Sequence, residues 1–144
     1  MKKLVLILFL SISFVAGVFA QDNFENNPRI KELRKTFYTK ELQLTDAESK
    51  AFWPLHKEMT KEQKLLKKQY KVNAKVELMP DDKAKEHLDN LFIYEQKKTE
   101  LKKTYFDKFT KVLPVRKVAK IESTERKFKK EVLKRVRKNR NKVN

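Results

Sequence analysis

Past Gly17 the chain contains no glycine, and nowhere does it contain a cysteine. Those absences exclude disulfides, thiolate metal sites and glycine-rich phosphate loops from the rest of the chain. What remains is rich in Lys, Glu and Leu, all good helix formers. Prolines at 28, 54, 80 and 114 are its main breaks. One all-α domain is therefore expected. High charge and modest apolarity also fit disorder, but the aromatic residues argue for a fold. The chain has ten Phe, four Tyr and Trp53, and only Phe9, Phe14 and Phe19 fall within residues 1–20. The others recur at helical spacing.

Residues 1–20 have the three parts of a secretory signal. Lys2 and Lys3 give a positive start, Leu4 to Phe14 an apolar run, and Val18-Phe19-Ala20 a cleavage site. The run is shorter than the roughly 20 apolar residues of a transmembrane helix. Cleavage after Ala20 into the periplasm is expected; an uncleaved signal would tether the chain to the inner membrane. Losing two lysines and no acids lowers the formal charge from +17 to +15. Without cysteine, no lipid anchor forms at the new N-terminus. Residues 21–27 and 138–144 read as flexible tails flanking a helical domain at 28–137.

Prolines and caps divide that domain into four helices. Asn27 before Pro28 is an N-cap with proline at the first helical position. Ile30, Leu33 and Phe37 mark one face of this helix, which ends near Leu42. Thr45-Asp46-Ala47-Glu48 is a capping box with Leu44 as its hydrophobic staple. The apolar series Phe52, Leu55, Met59, Leu66, Tyr70 follows. Pro54 predicts a kink or break there. Leu78 to Asp82 reads as a turn with an N-cap. A third helix, from about Asp82 to Leu113, carries Ala84, Leu88, Leu91, Tyr94, Leu101, Tyr105, Phe109 and Val112. Pro114 starts a fourth, with Val115, Val118, Ile121, Phe128, Val132 and Val136. Two helices of about 30 residues span about 45 Å each. That length favours an elongated hairpin, completed by a second copy into a homodimer, over a compact bundle.

No active site assembles. Ser49 and Ser123 lie in no nucleophile setting, and His56 and His87 lie on different helices. His56, Glu58 and Met59 include possible metal ligands, but His56 reads as flanking an apolar helix face, and His87, beside Leu88, reads the same way. Asp81 and Asp82 read as charges complementing a helix dipole. No enzyme activity, metal or cofactor is expected.

The basic clusters are more informative. They comprise Lys67, Lys68 and Lys71; Lys97, Lys98, Lys102 and Lys103; and Arg126, Lys127, Lys129 and Lys130, interleaved with Phe92, Tyr105 and Phe106. Any one lysine is ordinary solvated surface. Together they make a positive field that speeds capture of acidic partners. The densest run, Lys129 to Lys142, resembles an arm for anionic surfaces. Basic stripes with aromatics also suit nucleic acid, but export removes that partner.

Leu44-Thr45-Asp46-Ala47-Glu48 followed by Phe52-Trp53-Pro54 resembles the Leu-Thr-x-x-Gln box of the Spy/CpxP periplasmic proteins. The Phe-Trp-Pro extension resembles the divergent branch labelled sensors of ECF-type sigma factors. Where that family has a second box, Leu113-Pro114-Val115-Arg116-Lys117 keeps the Leu and the helix start but not Thr or Gln. Glu48 stands in place of Gln in the first box. The helical plan matches from about Pro28 to Arg137.

The resemblance implies a curved, antiparallel, cradle-shaped homodimer in the periplasm. Family members bind unfolding proteins without ATP, on a basic, partly apolar concave face, or dampen an envelope-stress signal by contacting a sensor. Leu44, Thr45, Glu48, Phe52, Trp53, Pro54, Leu113 and Pro114 would then be structural. Some relatives bind metals, a trait that the lack of a clustered His/Met/Glu set does not carry over. The candidate client-binding residues are Lys67, Lys68, Lys71, Phe92, Lys97, Lys98, Lys102, Lys103, Arg126, Lys127 and Lys130. The expected function is an ATP-independent chaperone for unfolded or acidic clients. The alternative is an envelope-stress regulator binding one membrane sensor or anti-sigma partner. A third reading is a structural protein whose Lys/Arg tail lies on anionic lipid.

Overall fold

A computed structural model describes residues 27–72 and 74–140. The expected signal at 1–20, residues 21–26 of the expected N-terminal tail and residues 141–144 of the C-terminal one lie outside the described residues. Among the described residues are four α-helices, a 3-10 turn at Val76–Leu78, and no strand. The helices are α1 (Pro28–Glu41), α2 (Asp46–Gln69), α3 (Asp81–Thr110) and α4 (Val115–Arg140). The protein is all-α. α4 continues three residues past the expected domain end at 137, because its lysines and arginines are good helix formers.

The chain divides into two compact units within α1, between Phe37 and Tyr38. In the first, Asn27 caps α1 as expected: the Arg29 amide donates to its Oδ1 at 2.9 Å. Ile30, Leu33 and Phe37 are half-buried. The remaining packing belongs to the second unit, which starts at Tyr38.

α1 ends in a Schellman motif. The Gln43 amide donates to Lys40 O at 3.2 Å and the Leu44 amide to Thr39 O at 3.0 Å. The pattern requires a left-handed residue, ordinarily glycine. Gln43 takes that place at φ 51°. α2 ends the same way, with Lys71 at φ 47° and the Val72 amide donating to Lys67 O at 3.2 Å.

α2 begins with the expected capping box. The Glu48 amide donates to Thr45 Oγ1 at 3.2 Å, and the Thr45 amide to Glu48 Oε2 at 2.8 Å. Of the kink or break expected at Pro54, the break is absent, since α2 runs through it to Gln69. Pro54 is exposed while Phe52, His56 and Met59 are buried. Tertiary packing on both sides thus holds the helix across the missing amide. At the start of α3 the cap position belongs to Pro80, which offers no side-chain cap, while Asp81 and Asp82 sit in the first turn and favour the dipole.

α2 and α3 form an antiparallel pair. Phe52 meets Phe109 at a ring distance of 5.1 Å, and the Tyr105 hydroxyl donates to Glu62 Oε1 at 2.6 Å. α4 folds back so that Phe128 meets Tyr38 at 6.2 Å. Tyr38, Phe52, Trp53 and His56 make one aromatic group, with His56 within 5.3 to 5.4 Å of the other three rings. Leu42, Leu44, Met59, Tyr105, Leu113, Val118, Ile121, Thr124 and Val132 complete the core.

Six residues on three helices differ from the expected apolar stripes. On α3 the buried row passes through His87, Tyr94, Tyr105 and Phe109, leaving Leu88 47% exposed. The expected stripe counted Leu88 because it is apolar, yet His87, one position earlier, keeps the row in phase with Tyr94 seven residues on. His56 likewise lies in the core rather than at its edge. On α4 the first and last stripe members, Val115 and Val136, are exposed, and Thr124 takes the buried place midway.

Candidate interaction surface

The two sequence boxes are joined by one side chain. Lys117 Nζ donates to Glu48 Oε2 at 2.7 Å and to the Gln43 carbonyl at 2.6 Å. It is the last residue of the second box and reaches the capping residue of the first. The Lys117 ammonium, followed by the Thr45 amide, holds the Glu48 carboxyl below the usual carboxylate range. Around this corner Leu44, Phe52 and Leu113 are buried, Trp53 is half-buried, and Pro54 and Pro114 are exposed. The Pro114 carbonyl accepts from the Lys117 and Val118 amides, opening α4. Sequence reading kept Lys117 only as a departure from the family pattern. Opposite charge at Glu48 was the available signal.

Several of the named basic residues are engaged within the protein. Lys98 pairs with Glu95 and lies over the Tyr94 ring at 5.2 Å. Lys102 and Arg126 both reach Glu122, an ion-pair node joining α3 to α4. Lys127 pairs with Glu41 at 2.6 Å. Lys67 is half-buried at the end of α2, with Lys68 exposed beside it and Lys71 in the turn that follows. Lys97, Lys103 and Lys130 are exposed and make no ion pair among the described residues. The eleven residues are therefore spread over three helices and a turn, and two of them, Lys102 and Lys127, pair with a carboxylate on another helix.

Phe92 stands apart, 68% exposed on α3. Leu88, one turn before it, and Ile93, 44% exposed, extend the apolar surface. Lys103, three turns after Phe92, shares its face, and Lys97 follows Ile93 by one turn. Leu65 on α2 and Leu78 in the 3-10 turn are also exposed. The sequence pattern assigned Leu88 to the core and Leu78 to a turn, and left Leu65 and Ile93 unassigned. The seven-residue step from His87 to Tyr94 was the signal that turns Leu88 outward.

Tyr105 is the most perturbed acid of the core. Burial, and then the Glu62 carboxylate accepting its proton, push its phenol far above the usual value. Both influences make it a fixed donor joining α2 to α3, not a proton shuttle. Among the described residues no group of three His, Cys, Asp or Glu side chains is placed to hold a metal, and no helix is long and apolar enough to cross a membrane. In comparisons with known proteins, no family model, curated protein or solved structure matches the chain.

Proposed function

We propose that the chain is a periplasmic, ATP-independent chaperone that holds unfolding proteins on α3. The observation that carries this reading is the exposed row Leu88, Phe92 and Ile93 beside Lys97 and Lys103, two exposed lysines with no ion pair among the described residues. Three large apolar side chains on one exposed stretch are unfavourable in water unless something is to cover them. The surrounding positive charge draws acidic chains from a distance, and the apolar row then holds them by short-range contact. Release follows when the client buries its own apolar surface. A homodimer, arranged as an antiparallel cradle, is part of the proposal.

The test is aggregation of a chemically unfolded acidic protein in the presence of residues 21–144, without ATP. Suppression at equimolar chaperone is expected, weaker as salt screens exposed charges beyond about 10 Å. A Leu88→Ser/Phe92→Ser variant should lose most of it while unfolding at an unchanged midpoint, since exposed substitutions shift stability by only about 0.5 kcal/mol. No suppression at several-fold excess would overturn the reading. A single stoichiometric partner recovered by crosslinking would replace it with the envelope-stress regulator.

A further inference from the structure

We propose that the outer stripe of α4, from Arg126 to Arg137, docks on an anionic lipid bilayer surface. This goes beyond the client surface on α3 and does not depend on it. α4 uses one face for the core, where Val118, Ile121, Thr124, Phe128 and Val132 are buried. Beside that face runs an exposed stripe of Arg126, Lys129, Lys130, Leu133, Val136 and Arg137, with Val136, one turn past the buried Val132, at its core-side edge. At 3.6 residues per turn the six side chains fall within about a third of the helix circumference.

The chemistry of that stripe is specific. Leu133 is 57% exposed and Val136 42%, and each is flanked by cations. Among the described residues Arg126 and Lys129, with side chains 69% and 66% exposed, reach only carboxylates one turn back on α4, Glu122 at 3.9 Å and Glu125 at 3.4 Å. Such pairs are weak and easily exchanged. Lys130 and Arg137 are exposed and have no ion pair among the described residues. Their charge is thus available to an outside anion.

Two apolar side chains inside a ring of lysine and arginine fit a bilayer surface. The ammonium and guanidinium groups meet lipid phosphates while Leu133 and Val136 enter the layer just beneath. Nucleic acid fits less well. A phosphate backbone offers no apolar layer, and the aromatic that could stack on bases, Phe128, is buried at 2% exposure. The described helices lack a span that crosses a membrane, so α4 lies on the surface.

The experiment is co-sedimentation of residues 21–144 with vesicles of phosphatidylcholine alone or mixed with phosphatidylglycerol. Residues 1–20 are left out because their apolar run would itself enter a bilayer. The protein should sediment with the anionic vesicles and not with the neutral ones. Lys130→Ala/Arg137→Ala should weaken partitioning roughly 30-fold, from about 1 kcal/mol per basic residue. Leu133→Ser/Val136→Ser should weaken it about tenfold by removing two partly inserted side chains. Circular dichroism checks both variants, and the single changes Lys130→Ala and Leu133→Ser carry the same comparison if a double variant unfolds.

Absence of binding to anionic vesicles would overturn the proposal. So would wild-type binding by the serine variant, which would make the stripe a general polyanion attractant. An unfolded acidic protein whose binding drops in the serine variant, while vesicle binding does not, would assign the stripe to clients instead.

Discussion

Gln43 and Lys71 hold left-handed backbone conformations that most proteins give to glycine. A side chain there crowds the following carbonyl, at a cost of about 1 kcal/mol or more. The chain accepts that strain twice because both helix ends need the motif and the sequence past Gly17 has no glycine. Gln43→Gly and Lys71→Gly should therefore each stabilise the protein by roughly 0.5–1 kcal/mol, after the larger entropy of the unfolded glycine chain is subtracted. The Lys117 contact at residue 43 is to a backbone carbonyl and survives the change. Urea unfolding of the two variants measures the effect, and a midpoint below wild type would contradict the strain argument. Sequence alone could locate these helix ends but not their handedness, since no glycine marked them.

At the scale of elements, the capping box was legible and its second role was not. Thr45 and Glu48 satisfy each other's amides, as the local pattern requires. That Glu48 also receives Lys117, 69 residues later, follows only from how α4 returns to the α1–α2 corner. The contact has a pH signature. Because the folded carboxyl is held below its ordinary value of about 4.3, the unfolded chain binds the proton more tightly. The contribution is complete above that ordinary value and is lost as pH falls through the lower, folded-state value. Glu86 and Glu131, lowered chiefly by Lys83 and Arg135, add to the same acid slope. Glu48→Gln should consequently lose less stability than wild type between neutral and acid pH, read from urea midpoints at each pH. Equal slopes in the two proteins would remove Glu48 from the account. Pro54 gives the converse lesson: a local rule allowed a break there, and packing of Phe52, His56 and Met59 on either side keeps α2 continuous.

At the scale of the molecule, α3 and α4 each present a second face that the described chain leaves uncovered. Phe92 and Leu88 on α3, and Leu133 and Val136 on α4, remain in solvent. Residues 21–144 should sediment at micromolar concentration with twice the chain mass if a second copy covers part of this surface. A monomer across that range would leave the uncovered faces to clients and lipid alone. The two docking surfaces separate by mutation, since serine at 88 and 92 acts on α3 and serine at 133 and 136 on α4.

Period and punctuation in the sequence determined four helices, their starts at Pro28, Thr45 and Pro114, and most of the buried aromatic row. Those features depend on interactions between residues three or four apart, which any stretch of chain carries with it. Tertiary structure alone decided that His56 and His87 lie inside while Leu88 lies outside, that Tyr38 anchors α4 through Phe128 and Glu125, and that Lys102, Arg126 and Lys127 are engaged in ion pairs while Lys97, Lys103 and Lys130 stay open. A helix can turn by one residue with little change in its local energy. Only the neighbours it meets determine which of two adjacent side chains is buried and which lysine finds a carboxylate.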